Sequence, residues 1–328
     1  MTGLGIMRPA LAAIVLCAVA AVAAPALAQT SGKTWTEPPY NPPVGSAWSV
    51  LSKTDSEENR PGGERITAQI VSRTEFTVDE KLPSGYRVSY VTRDIKMTGN
   101  APGRQIVEMA FSSMKDIVIR GRVDAAGKPV AVDNLDEVKT SMRAVIASMA
   151  QAFDKNPKLA DFVRQMMGGL LNVEGPQAAP VYMEDLATLA AGQGTGLAPG
   201  TVKRADEPIS TPLGGAINST LETRLESFDG AAGTARYIRK RKFDPASMKA
   251  VTLALSEKLA AAADNKVLTP EVLKQMKDIA FEIESESVIS VEGGMTRNID
   301  DRSFTSARLM GQVMSKTEKK TITVTPLK

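Results

Sequence analysis

The sequence predicts an α+β fold: a long, curled antiparallel β-sheet, half-barrel-like, with two clusters of amphipathic helices packed against it. Three observations lead there. Two-residue alternation of apolar and polar side chains recurs on both sides of the chain's middle. That period gives way to helical spacing twice, at about residues 134–190 and 245–280. Short turn sequences such as Leu82-Pro-Ser-Gly85 and Gly293-Gly294 join alternating stretches, as in a meander.

The first element is not part of that fold. Arg8 is the only charge before Gln29, and it precedes an apolar run from Ala10 to Ala24. The run is short for a bilayer span and closes on Ala26-Leu27-Ala28, the A-x-A pattern of signal-peptide cleavage. Lipidation of the single cysteine, Cys17, would need a small residue directly before it, and Leu16 stands there. Residues 1–28 are therefore expected to be a cleaved signal peptide, and the mature protein to be periplasmic or secreted and not a lipoprotein. No later apolar run approaches bilayer length. A mature chain of this size buries about 75% of its unfolded surface, so a conventional core can replace disulfides.

Residues 29–45 form a proline-rich N-terminal segment, and 46–328 a single α+β domain. In Arg65–Asp79, Ile66, Ala68, Ile70, Phe76 and Val78 share one side with Ser72 and Thr74. A strand of that length spans about 45 Å. In Tyr86–Met97 the alternation shifts from Tyr86, Val88 and Tyr90 to Val91, Ile95 and Met97, which predicts a bulge. Arg104–Ser112 reads as another strand, and Asp116–Val132 as a strand pair. Asn134 with Glu137 then forms a capping box for a helix through Phe153, and Asn156-Pro157 restarts a second. A shorter helix covers about Met183–Leu189. Strands resume at Thr201, Asp244-Pro245 and Thr269-Pro270 each open a helix, and strands finish the chain.

Composition excludes much chemistry. The chain has no histidine, and Cys17 leaves with the signal peptide. That removes Cys/His zinc sites, haem ligation by these residues, a Ser-His-Asp triad and a cysteine nucleophile. Gly32-Lys-Thr34 lacks the upstream P-loop glycine, and Gly192–Gly196 lacks dinucleotide-site spacing. Ser112–Lys115 fits S-x-x-K without its companion motifs, and Asn298–Asp301 reads as a polar loop. No enzyme, cofactor or metal site is expected. A net charge of +3 gives no case for nucleic-acid binding. An outer-membrane barrel is disfavoured by the interrupting helices and by aromatic residues at only 5% of the chain, too few for interfacial girdles.

The signal peptide, curled meander and covering helices together resemble bacterial periplasmic lipoprotein-carrier and lipid-binding half-barrel proteins, and secreted bacterial proteins of similar layout. The resemblance is one of pattern, and it implies a greasy concavity beneath the helices. Met142, Met149, Phe162, Met166 and Met167 on the first helical pair, with Ile66, Ile70 and Phe76 on the sheet, are the candidate ligand lining. The expected function is a non-catalytic protein of the cell envelope, binding a lipid or other hydrophobic small molecule between sheet and helices. The alternative is an envelope scaffold with a protein partner and no ligand cavity.

Charge patterning adds one more expectation. Arg236, Arg239, Lys240, Arg241 and Lys242 fall in one strand, and Glu282, Glu284 and Glu286 on one face of another. Opposite charges stabilise adjacent strands, so the two are expected side by side and antiparallel. The rival use of the basic strand is contact with anionic headgroups.

Overall fold

The computed structural model describes residues 35–328, apart from 102–103, 152, 154–156, 211–215, 263–277, 310 and 328. The signal peptide, Gly32–Thr34 and most of the helix expected from Thr269 thus lie outside the described residues. Eleven strands form one antiparallel sheet, and a separate two-stranded ribbon pairs β7 (Ile209–Ser210) with β8 (Ala216–Ile217).

Among the described residues, the first strand lies in mid-sheet. β1 (Ala47–Asn59), β2 (Arg65–Leu82), β3 (Gly85–Gly99), β4 (Val118–Asp124) and β5 (Pro129–Val132) build outward to one edge. From the other edge, β6 (Val202–Asp206), β9 (Ser219–Asp229), β10 (Thr234–Phe243), β11 (Ala280–Glu292), β12 (Met295–Leu309) and β13 (Gln312–Leu327) return to the centre. There β13 pairs antiparallel with β1 along the whole of β1, from Ala47↔Leu327 to Asn59↔Ser315. The sheet does not close, because β5 and β6 remain its two edges. Between them in sequence lie α2 (Leu135–Gln151), α3 (Pro157–Leu171), a 3₁₀ turn at Gly175–Gln177, α4 (Ala178–Tyr182), α5 (Glu184–Ala187) and a second 3₁₀ turn at Thr188–Ala190. A further helix, α1 (Arg104–Met114), joins β3 to β4, and α6 (Pro245–Ala262) joins β10 to β11.

Bulges account for the curl. The register slips at Arg93 in β3, Asp79 in β2, Glu226 in β9 and Arg297 in β12, each an extra charged residue that bends its strand, and at Val130 in the short edge strand β5. The first lies where the alternation of Tyr86–Met97 shifts phase. The second strand carries the expected pattern, with Ile66, Phe76 and Val78 buried on one face.

The basic and acidic strands are neighbours, as their charges require. β10 pairs antiparallel with β11, placing Lys240 opposite Glu286 and Lys242 opposite Glu284. Ion pairs join them at 2.5 and 3.9 Å, and Arg236 reaches Glu226 of β9 at 3.0 Å.

Two expectations need correction. Arg104–Met114 is a helix, not a strand. Its apolar residues Ile106, Ala110 and Met114 fit a four-residue spacing as well as an alternation, and short apolar runs do not discriminate. Ser112 and Lys115 are consequently exposed at its end. Asn298–Asp301 is not a loop but lies inside β12, so Asp300 and Asp301 point to opposite faces. Asn134 is more than a cap. It bonds the Glu137 carboxylate at 3.0 Å, and it also accepts from Arg120 N–H and donates to Val118 O, which pins α2 to β4.

The main core joins both halves of the sheet: Trp48, Val50, Phe76, Val78 and Tyr90 with Ile289, Ile299, Ile322, Val324 and Tyr237. Trp35 and Tyr40 of the proline-rich segment pack against or within it. Phe76, 1% exposed, stacks at a tilt on Trp48 with ring centroids 5.6 Å apart. Phe76→Ala should therefore lower stability by about 3–5 kcal/mol in chemical unfolding, through lost burial and a residual cavity. A loss below about 1 kcal/mol would contradict the packing described.

Candidate functional site

One face of the sheet carries the helices. Each row across that face follows from register, since residues directly opposite on neighbouring strands point the same way. The row Leu225, Tyr237, Ile289, Ile299 and Ile322 is apolar and belongs to the main core. The next is polar: Thr223, Arg239, Ser287, Asp301, Lys320 and Thr54. A second polar row follows, with Arg241, Ser285, Ser303, Glu318 and Ser56. Beyond it lies another apolar cluster, Phe243, Phe281, Ile283 and Ala307 under Met248 of α6, with Ile217 and Ile279. The covered face is thus apolar at both ends and polar between them.

The cover over the main core is the short-helix segment from Ala178 to Leu197. Ala179, Met183, Leu186, Leu189, Ala190 and Leu197 are all buried in that core. The segment touches both halves of the sheet, so it acts as a plug. Tyr90 Oη donates to Tyr182 O from β3, and Arg239 Nη2 donates to Ala191 O from β10. Gln193 Nε2 donates to Pro38 O at 3.0 Å and Gly294 O at 2.8 Å, holding the proline-rich segment as well. Two glycines permit this closeness. A Cβ on Gly121 would collide with Met183 Sδ, and one on Gly192 with the Val291 side chain.

The expected ligand lining is divided among these regions. Phe76 lies in the main core, and Ile66 is buried near the far end of β2, about 33 Å away along the strand. Ile70, half-buried, stands between them. Met142 packs with Val138, Ala178 and Tyr182 in a smaller cluster. Met149 and Met167 are half-buried, while the side chains of Phe162 and Met166 lie outside the described residues. The first helical pair does not cover the Phe76 face as expected. Its helices pack on each other, and α2 meets α1 and β4, because the plug already occupies the main core.

Electrostatics mark the polar rows. Arg241 Nη2 pairs with Glu207 at 2.6 Å, and Lys316 pairs with Glu318. Burial pushes the Arg239 pKa down and the Asp301 pKa up, the latter partly offset by a hydrogen bond from Ser287 and by Lys320. Arg239 Nε and Asp301 Oδ1 are buried with no hydrogen-bond partner. The sequence placed Arg239 only in a basic strand and Asp301 only in a polar motif. Strand pairing alone reveals that they share a face.

A trough enclosing about 1260 Å³ runs across β6 and β9–β13, lined by opposite-face residues such as Glu222, Lys240 and Phe304 and also by Arg241, Ser285 and Ser303 of the second polar row. Arg204 pairs there with Glu222 at 2.5 Å, beside the Lys240–Glu286 and Lys242–Glu284 pairs. Its charges are largely paired with one another, and Phe304, exposed beside them, adds an apolar patch. Among the described residues no cluster of acidic residues has the arrangement of a metal site, and no helix is long and apolar enough to cross a membrane.

No family model matches the chain, and no curated protein does. Among solved structures, lipovitellin, studied for its lipid–protein interactions, aligns at a TM-score of 0.39 and 7% identity. That alignment covers 86% of this chain but 25% of lipovitellin, so the chain spans about a quarter of that protein. DynF from the dynemicin biosynthesis pathway of Micromonospora chersina aligns at 0.18 and 8%, covering 90% and 92% of the two chains. An outer membrane channel from Pseudomonas putida F1 aligns at 0.16 and 8%, covering 91% and 100%. At such scores the chain's own geometry carries the functional reading.

Asp301 gives that geometry a pH signature. Its folded pKa lies above its unfolded one, so the folded state holds the proton more tightly. The ionised carboxylate then costs stability above the raised pKa, and the cost fades as pH falls through it toward the ordinary carboxylate range. Asp301→Asn should melt higher than the wild type at neutral pH, with the gap closing in acid. A variant that melts lower at neutral pH would contradict the cost assigned to burying the ionised carboxylate.

Proposed function

We propose that this is an exported, non-catalytic binding protein of the cell envelope that holds a lipid or other hydrophobic ligand between its sheet and its helices. The observation that carries the reading is the plug. The apolar face of an unclosed sheet is filled here by a string of short helical turns, and its exposure to a ligand requires that those turns be displaced. Displacing residues 178–197 would leave the wall of Trp48, Phe76, Tyr90, Ile289, Ile299 and Ile322 for an alkyl chain. The Ala26-Leu27-Ala28 motif supports export, and the lack of histidine and of any cysteine beyond Cys17 supports a non-catalytic role.

The scaffold alternative draws on one observation. β6 is an edge strand with all five residues exposed, including Val202 at 53%, and such an edge can accept a partner's strand.

Native purification from an exporting host, followed by mass spectrometry of organic extracts and titration with a fluorescent apolar probe, tests the choice. The carrier reading expects a defined lipid in the extract and saturable probe binding that the extracted lipid competes away. No extractable lipid and no saturable probe binding would defeat it.

A further inference from the structure

The two polar rows lie between apolar ends, and the one nearer the plug borders the main core directly. Along that row the residues run Arg239, Ser287, Asp301 and Lys320, on β10, β11, β12 and β13. Each stands two positions along its strand from an apolar partner: Tyr237, Ile289, Ile299 and Ile322. A molecule lying along the strands would therefore place a hydrocarbon part on the wall and its polar end on this row.

The row also has hydrogen-bonding capacity to spare. Arg241, in the second polar row, is committed to Glu207, and Lys316, further along the same face, to Glu318. In the first row, Arg239 uses Nη2 on the plug carbonyl of Ala191, yet its buried Nε has no partner. Asp301 takes a hydrogen bond from Ser287, yet its buried Oδ1 has none. The guanidinium and carboxylate sit on strands separated by β11, about 10 Å apart at their Cα atoms. Ser287 between them is the smallest side chain of the four. All four residues are half-buried, while the two unpartnered atoms, Arg239 Nε and Asp301 Oδ1, are themselves buried, so a ligand reaches them only as the cover over the row shifts. Buried donors and acceptors left unmade are costly, which makes this gap a place where a ligand gains more than it would at a satisfied surface.

We propose that this row selects an amphiphile whose polar end carries both signs of charge, an anionic phosphate-type group at Arg239 and a cationic amine at Asp301, astride Ser287. A purely anionic headgroup satisfies Arg239 but adds like charge beside Asp301. A cationic one does the reverse at Arg239. A phosphate and an ammonium joined by a short carbon spacer satisfy both. Lys320 flanks Asp301 on the far side and leaves the order of charges in the gap unchanged. The proposal rests on the carrier reading, since it assigns the polar end of the same ligand.

The test uses short-chain phosphatidylethanolamine and phosphatidylglycerol below their micelle concentrations, free phosphoethanolamine, and the apolar probe. Binding to the full-length mature protein is compared with Asp301→Asn and Arg239→Gln, after circular dichroism shows that each variant is folded. The wild type should bind the ethanolamine lipid about tenfold more tightly than the glycerol lipid, as charge-assisted hydrogen bonds allow. Asp301→Asn should abolish that preference, and Arg239→Gln should weaken both lipids about tenfold. Because Asn is nearly isosteric with Asp, the first variant keeps the proposal testable if the second does not fold. Equal affinity of the wild type for the two lipids, or an undiminished preference in Asp301→Asn, would overturn the proposal. So would free phosphoethanolamine binding as tightly as the lipid. If the wild type binds the apolar probe but does not discriminate headgroups, this inference fails alone. If it does not bind the probe, the carrier reading fails and takes the inference with it.

Discussion

The pairing of β1 with β13 is the constraint on which the rest of this structure depends. It brings the two ends of the described chain into register along all thirteen residues of β1 and fuses two meanders into one sheet. Without it, the N-terminal strands and the C-terminal strands would each present a long unpaired central edge, and the main core would be cut in two. The contact is also the most non-local one in the fold, so its chain-closure entropy must be met by the burial that it makes possible. Trp48, Val50, Ile322 and Val324 supply that burial at the seam itself.

The same topology explains the plug. Since the termini meet at the centre, the sheet's outer edges, β5 and β6, are consecutive in sequence, and the helical insert joins them. An insert starting at one edge and ending at the other crosses the covered face. In its first part, Asn134 pins α2 to β4, the Lys139–Glu174 ion pair at 2.9 Å ties α2 to the chain after α3, and α3 packs on α2 and α6. Its second part breaks into short turns that lie over the main core. Broken helices bury few of their own side chains against one another, so their stability is borrowed from the sheet. The polar rows resist a simple packing account. Buried charge is costly, and apolar residues at Arg239 and Asp301 would have extended the main core by one row.

Much of the sheet was legible from the residues. The alternation of Arg65–Asp79, the bulge after Tyr90, and the complementary charges of β10 and β11 were each local signals with one structural solution. The strand β1 was less visible, because after Trp48 and Val50 its side chains are mostly polar. Only the β13 partner explains it. The helix Arg104–Met114 was misread because its apolar residues satisfy both periods. Asn298–Asp301 was misread because polar composition was taken for a loop, whereas a wide sheet tolerates a polar face. The candidate site was hidden for the same reason. Its residues are scattered over four strands, and only their register brings them into one row. The methionine-rich helices gave a strong composition signal, but that signal describes how a helix packs and not what it covers.

Amide hydrogen exchange of the native protein, read strand by strand, tests the central pairing most directly. If β1 and β13 hold the halves together, their amides from Val50 to Leu51 and Ile322 to Val324 should exchange in the slowest class, together with β2 and β12, and only through global unfolding. Exchange of β1 or β13 well ahead of their neighbours would contradict the account, for it would mean that the two meanders stand without the seam.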